Sequence, residues 1–249
     1  MNQALSIILG AFVFESIIIW LVMIGAKKDD RLCRAPALDW IVGLLTWIPW
    51  ATAFIGRGGL GFLECLTGQV LCLYGFFCFH KMWRKYRGPT IQSTTNQIVG
   101  RMNNQLGLLM TLPALPVFLI VRCSEIFLYP FLVWTMKFPT YQHGEWVNVS
   151  RQKFSGLVGA DLVWCLYCDW MTGIYALGGE MLRNLESFWC PIRFYDDKRC
   201  ENCQIDFPDV KDWVSAHGTM EDVIELIKRK YPPEAGGPRA WFGHPVRKK

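Results

Sequence analysis

ALSIILGAFVFESIIIWLVMIGA, residues 4–26, is the stretch of sequence that decides the fold. Its only charged residue is Glu15. A helix of about 20 apolar residues crosses the hydrocarbon core of a bilayer, so this run is long enough to span it. It lacks the basic start and the small-residue cleavage motif of a signal peptide, and we therefore expect it to persist as a membrane helix.

The composition agrees with a membrane protein. Hydrophobic residues make up 52% of the 249 residues, whereas a soluble domain averages about 45–50% apolar even with glycine counted. Most of this excess lies before residue 137, and charged residues become denser after residue 180. The net charge of +5 forms no basic stripe, so we expect no nucleic-acid partner. We also expect no nucleotide, because no Walker or dinucleotide motif occurs.

Two further apolar runs, Leu38–Ile55 and Leu60–Phe79, are joined by the short glycine-rich segment GRGGLG. This pattern predicts a helical hairpin. Basic segments follow the first run (KKDDRLCR, 27–34) and the third (HKMWRKYR, 80–87). Since cytoplasmic loops are enriched in Lys and Arg, both segments are expected in the cytoplasm and the N-terminus outside.

The fourth apolar stretch, Leu106–Met136, follows a polar, turn-prone segment (88–105) that we interpret as a cytoplasmic connection. A straight helix of that length would measure about 46 Å, more than the hydrocarbon core of about 30 Å. Two alternatives follow: one kinked span, or a re-entrant hairpin that turns around Arg122–Glu125. The basic residues of 137–153 favour re-entry, with the chain returning to the cytoplasm.

The pattern after residue 153 predicts one more long helix and a polar tail. In Phe154–Leu182 apolar residues recur every four positions, and Asp161, Cys165, Cys168 and Thr172 share one face. This helix either crosses the membrane or lies against it. A shorter helix, MEDVIELIKRK, is expected to begin after Thr219 as its cap.

The predicted fold class is therefore a mainly α-helical, polytopic membrane protein. It has about four to five membrane segments, one of them re-entrant in the second alternative, and a small cysteine-rich cytoplasmic domain at its C-terminus. By composition the chain divides into a membrane domain (1–136), a connecting loop and Asp/Cys-faced helix (137–184), and a soluble tail (185–249).

Two Cys-x-x-Cys pairs suggest a metal site. Zinc prefers four thiolate or imidazole ligands, and ligands two residues apart reach one ion from a single turn. The first candidate quartet is Cys165, Cys168, Cys200 and Cys203. The second combines Cys200 and Cys203 with Cys190 and His217. Structural zinc is the first choice, and iron or an iron–sulfur cluster is the alternative.

Ionisable residues inside apolar runs form the second class of candidate site. Glu15, Arg122, Glu125 and Asp161 would be costly in a bilayer, so each is a candidate for a proton path or a lipid-headgroup site. The alternative is structural: Arg122 pairs with Glu125 or Glu15, and polar side chains bond between helices.

Three functional hypotheses follow. The first is a multi-pass subunit of a larger membrane complex, with a zinc-stapled tail that contacts partner subunits. The second is a membrane redox protein with a cysteine-ligated iron or thiol centre. The third is a lipid-modifying enzyme or transporter that uses Arg122, Glu125 and Asp161.

Overall fold

The computed structural model describes residues 3–154, 156–190, 192, 214–215, 217–230 and 232. Within these residues the protein is mainly helical and has no β-strand, as the sequence predicts. The helices are α1 (Gln3–Lys28), α2 (Ala37–Leu45), α3 (Trp47–Trp83), α4 (Ile91–Val99), α5 (Arg101–Thr111), α6 (Leu115–Cys123), α7 (Tyr129–Met136), α8 (His143–Trp146), α9 (Ala160–Trp189) and α10 (Met220–Lys230). Three helical segments of the described chain are long and apolar enough to span a membrane: Gln3–Ala26, Ala37–Trp83 and Arg101–Met136. They are compatible with an integral membrane protein.

The helix α3 folds back on itself at the predicted glycine-rich turn. Arg57 and Gly58 leave helical geometry, and Gly58 takes a positive φ of 61° that favours glycine. Residues 45 and 69 would be about 36 Å apart along a continuous helix. Instead the Gln69 side chain donates a hydrogen bond of 2.9 Å to the Leu45 carbonyl. Residues 59–83, here called the second arm of α3, therefore run antiparallel to residues 47–56.

The second arm of α3 packs parallel to α1. A Cβ placed on Gly68 would lie 2.4 Å from the Ile8 carbonyl oxygen, and one on Gly75 would meet the Phe12 ring at 3.9 Å. The two helices therefore run in the same direction. The C-terminal ends of α1 and α3 consequently lie on the same side, and the basic segments 27–34 and 80–87 are found there.

The loop after α7 returns to that same end. The Ala35 amide donates to the Val147 carbonyl at 2.9 Å and the Val149 amide donates to the Cys33 carbonyl at 2.8 Å. The Gly159 amide donates to His80 Nδ1 at 3.0 Å. These bonds tie residues 147–159 to the ends of both α1 and α3.

The chain does not turn back at Arg122–Glu125, so the re-entrant alternative is wrong. Cys123, Ser124, Leu128 and Tyr129 all keep right-handed helical dihedral angles. The helix widens to a π-helical turn at Ser124–Leu128, where the Tyr129 amide donates to the Ser124 carbonyl. Pro130 has no amide hydrogen to continue the regular ladder, which favours this wider turn.

The polar segment 88–105 is helical rather than a turn-prone connection. It forms α4 and the start of α5, which are joined at Gly100 with a φ of 88°. A reciprocal pair of hydrogen bonds between Thr90 and Ser93 caps α4. This capping, together with a contact from α9 described below, explains a helix that the polar composition does not indicate.

Contacts divide the chain into two compact units: residues 1–112 with 143–173, and residues 113–142 with 174–249. The tripartite division by composition stays a prediction. In the second unit, α10 begins as predicted, with the Asp222 amide donating to Thr219 Oγ1 at 3.3 Å. Val223 and Leu226 of this helix pack with Val214 in a small apolar cluster.

Candidate functional site: a buried polar cluster

Arg122 and Glu125 form a buried ion pair in the second unit. Arg122 Nη1 lies 2.7 Å from Glu125 Oε2, and the two side chains are only 5% and 3% exposed. The widened turn begins one residue after Cys123, so Glu125 projects from its first turn. The sequence predicted both residues as a candidate site, and their mutual pairing is the structural alternative considered for them.

The helix α9 brings a second pair to the same unit. Glu180 is fully buried, and its Oε2 lies 3.0 Å from Arg183 Nη2. Gly178, two residues earlier, permits the close approach: a Cβ there would lie 3.1 Å from Glu125 Oε1. A larger residue at position 178 would therefore press on the Glu125 carboxylate.

Two tyrosines and an asparagine complete the cluster. The Asn184 side-chain amide donates to the Tyr141 hydroxyl, and the Tyr129 hydroxyl donates to the Pro139 carbonyl at 3.0 Å. The rings of Tyr129 and Tyr141 meet edge to face, 5.5 Å apart. Burial raises the pKa of Tyr141 far above its ordinary value, so its hydroxyl stays neutral. We call the set of Arg122, Glu125, Tyr129, Tyr141, Glu180, Arg183 and Asn184 the polar cluster.

The polar cluster holds two carboxylates and two guanidinium groups, so its formal charges balance. Buried ions are costly to desolvate, and pairing offsets that cost only when the geometry is good. Such a cluster can fix the packing of two helices, hold an anionic group by its arginines, or relay a proton between carboxylates. Its side chains include neither a serine nor a cysteine that would serve as a nucleophile.

Glu15 belongs to a separate polar contact in the first unit. Its carboxylate bonds with Gln69 and Cys72 of the second arm. Gln69 also accepts a 2.8 Å hydrogen bond from Trp50 Nε1. Glu15 therefore links α1 to both arms of the hairpin through Gln69, which is the interhelical role expected of a polar residue in a membrane helix.

Asp161 lies in the first unit and caps α4. Its Oδ2 accepts from the Ile91 amide at 2.6 Å and its Oδ1 accepts from the Gln92 amide at 3.0 Å. These amides belong to the first turn of the helix, which has no partners of its own. The structure thus gives Asp161 a structural contact, while Arg122 and Glu125 lie in the other unit.

Asp161→Ala is expected to lower the free energy of unfolding by about 2–3 kcal/mol, because the partly buried backbone amides of Ile91 and Gln92 lose their acceptors. Asp161→Asn keeps one acceptor and is expected to lose about half as much. Hydrogen exchange at Ile91 and Gln92, with the unfolding midpoint, is the measurement. Unchanged protection of both amides in Asp161→Ala would contradict the capping role.

The cysteines of the predicted metal quartets are only partly within the described residues. Cys165 is half-buried, and Cys168, Cys190 and His217 are exposed. Cys200 and Cys203 lie outside the described residues. Among the residues that are described, no three His, Cys, Asp or Glu side chains come together as a metal site. Both quartets need Cys200 and Cys203, so the zinc site stays a prediction.

The sequence did not point to five members of the polar cluster: Tyr129, Tyr141, Glu180, Arg183 and Asn184. A signal for Asn184 exists: buried residues of α9 continue beyond Ile174 at Leu177, Met181 and Asn184, with steps of three and four. Following that helical spacing past residue 174 would have placed Asn184 on the buried face.

No protein family, curated protein or solved structure matches the chain.

Proposed function

We propose that this protein is a multi-pass subunit of a larger membrane complex. The observation that carries the proposal is that the chain itself buries only a small share of its candidate membrane helices. In the most apolar windows of the three candidate spans, 6%, 22% and 17% of residues are buried. The remaining surface must be covered by lipid or by protein.

One position on α1 favours protein on part of that surface. A Cβ on Gly10 would meet no atom within 4 Å, so no neighbour in the part of the chain that the structure describes requires a glycine there. Glycine weakens a helix relative to alanine. Small residues in membrane helices let a second helix approach closely, which gives Gly10 a role if a partner helix lies against it.

Gly10→Leu tests this proposal against Val13→Leu, a substitution at another exposed position of the same helix. We expect the wild type and Val13→Leu to migrate as a complex on native gels after extraction in mild detergent, and Gly10→Leu to release the free subunit. A wild-type protein that is monomeric under every mild extraction condition would overturn the subunit proposal.

The orientation belongs to the same proposal: the N-terminus lies outside, and the C-terminal tail lies in the cytoplasm. The parallel packing of α1 and the second arm supports it, because two basic segments then lie at one membrane face. The bonds from residues 147–159 to Cys33, Ala35 and His80 support the same side for these residues. In this orientation the helical segment Arg101–Met136, which does not turn back, would not cross the bilayer completely. Labelling of single cysteines introduced at Lys137 and Lys153, from each face of sealed vesicles, checks the orientation.

The cysteine-rich tail is proposed to hold structural zinc through Cys200 and Cys203 with one of the two ligand pairs. Metal analysis of the purified protein, with a visible spectrum, tests it. Stoichiometric zinc without colour supports the structural site, whereas iron with visible absorption supports the redox alternative. Loss of the metal in Cys165→Ser but not in Cys190→Ser would select the first quartet.

A second candidate function is transport or lipid chemistry at the polar cluster. The buried Arg122–Glu125 pair favours it, since ionised residues within membrane helices commonly mark ion or substrate paths. Proteoliposomes loaded with a pH-sensitive dye provide a test. If the cluster relays protons, the wild type dissipates a pH gradient faster than Glu125→Gln. Equal rates for the two proteins and for empty liposomes would exclude proton relay.

A further inference from the structure

A narrow apolar groove runs between α1 and the second arm of α3. It has a volume of about 340 Å³. On α1 it extends from Phe12 to Ile24, and on α3 from Cys72 to Trp83. Its lining is almost wholly apolar, and Gly75 leaves space in its floor. At a rise of about 1.5 Å per residue, the groove is about 18 Å long.

These dimensions select the class of occupant. A volume of about 340 Å³ along a length of about 18 Å is space for a slender, elongated group. Non-bonded carbon atoms approach to about 4 Å, so a single hydrocarbon chain fits. A partner helix is about 10 Å across and would cover the open side of the groove without filling it. The length also matches one leaflet, which is half of a hydrocarbon core of about 30 Å.

The charge at one end of the groove selects the headgroup. The groove occupies the C-terminal halves of both helices, and its last lining residue on α3 is Trp83. Lys85 and Arg87 follow at that end, and both are exposed. A lipid whose chain lies in the groove therefore presents its headgroup to a basic surface. Basic residues near a membrane surface attract anionic lipids.

We propose that this groove binds one acyl chain of an anionic phospholipid, whose phosphate-bearing headgroup lies at Lys85 and Arg87. The inference rests on the membrane location of the helices and not on the subunit proposal. The proposal is more specific than a general layer of lipid around the helices, because it assigns one acyl chain to this groove and a negative charge to the headgroup. The described residues that line the opposite end of the groove, Phe12 and Cys72, carry no positive charge, so that end would not give this preference.

Native mass spectrometry of the full-length protein in detergent tests the proposal. The probes are phosphatidylglycerol and phosphatidylcholine with identical dioleoyl chains, added at equal concentration. We expect the wild type to retain phosphatidylglycerol at least about fivefold more than phosphatidylcholine, the effect of one basic residue near the surface. Equal retention of the two lipids by the wild type would overturn the proposal.

Two variants separate the chain from the headgroup. Gly75→Leu fills the groove and is expected to lose both lipids, whereas Gly107→Leu, at a helical glycine with no atom near its Cβ position, keeps them. Lys85→Gln with Arg87→Gln changes only exposed residues, and is expected to keep binding but lose the preference for phosphatidylglycerol. Lys228→Gln with Lys137→Gln is the matched charge control. If Gly75→Leu retains lipid as the wild type does, or if its only effect is to release a protein partner, the groove does not hold an acyl chain.

Discussion

Arg122→Met is expected to lower the free energy of unfolding by about 3–5 kcal/mol, the usual result of removing one partner of a buried ion pair. The cost comes mainly from the Glu125 carboxylate. Its side chain is only 3% exposed, and the substitution removes the Arg122 guanidinium that pairs with it. Unfolding in detergent, followed by circular dichroism against increasing denaturant, measures the change. A loss below about 1 kcal/mol would mean that other groups neutralise Glu125 equally well.

The double variant Arg122→Met with Glu125→Leu provides the sharper comparison. Replacing a buried pair with apolar residues of similar volume is often neutral, so we expect it to recover most of the lost stability. Arg31→Met removes an exposed pair with Asp29 and is expected to leave stability unchanged, because surface pairs contribute little. A double variant as unstable as the single one would show that the pair supports the rest of the polar cluster.

The same double variant distinguishes the two candidate functions. If the polar cluster only fixes helix packing, a folded double variant should assemble and function as the wild type does. If the cluster carries protons or holds a headgroup, the double variant should remain folded and lose that activity. Stability and activity must therefore be measured on the same preparation.

Gly68→Ala is expected to destabilise the first unit by about 1–3 kcal/mol, through overpacking between α1 and α3. The added Cβ would lie 2.4 Å from a backbone oxygen of Ile8 and 2.9 Å from the Ala11 Cβ. Backbone cannot move aside as the end of a flexible side chain can. The two helices would have to separate.

Gly75→Ala, seven residues along the same helix, is the matched control and is expected to raise the free energy of unfolding. Its Cβ would make an ordinary 3.9 Å contact with the Phe12 ring. Replacing a helical glycine with alanine gains about 0.5–1 kcal/mol where space permits. The unfolding midpoints of the two variants, compared in the same detergent, measure the difference. Equal effects of the two substitutions would contradict the close packing at Gly68.

The parts of the fold that depend on local sequence were predictable. The apolar runs locate the membrane helices, and the glycine-rich segment at Gly58 locates the reversal of the hairpin, because only glycine readily adopts its positive φ. The cap at Thr219 was predictable for the same reason: its bonds with Asp222 join residues only three positions apart.

The parts that depend on distant partners were not predictable. The helix α4 is capped by Asp161, about 70 positions later in the chain, and its own composition gives no sign of that contact. Arg122 and Glu125 were compatible with a turn or with a mutual pair, and the sequence does not decide between them; the structure pairs them at 2.7 Å. Glu180 is fully buried near the end of the predicted helix of α9, where the partners that bury it are distant in sequence.

The parallel packing of α1 with the second arm of α3 has a consequence for synthesis in the cell. Gln69, the partner of Glu15, is translated 54 residues after it. At about 5–20 residues per second, that interval lasts several seconds. In the proposed membrane location, α1 would enter the bilayer during this time with an acidic side chain whose partner is not yet synthesised. The nascent helix therefore has to be sheltered, either at the insertion machinery or by a protonated Glu15, until the hairpin arrives.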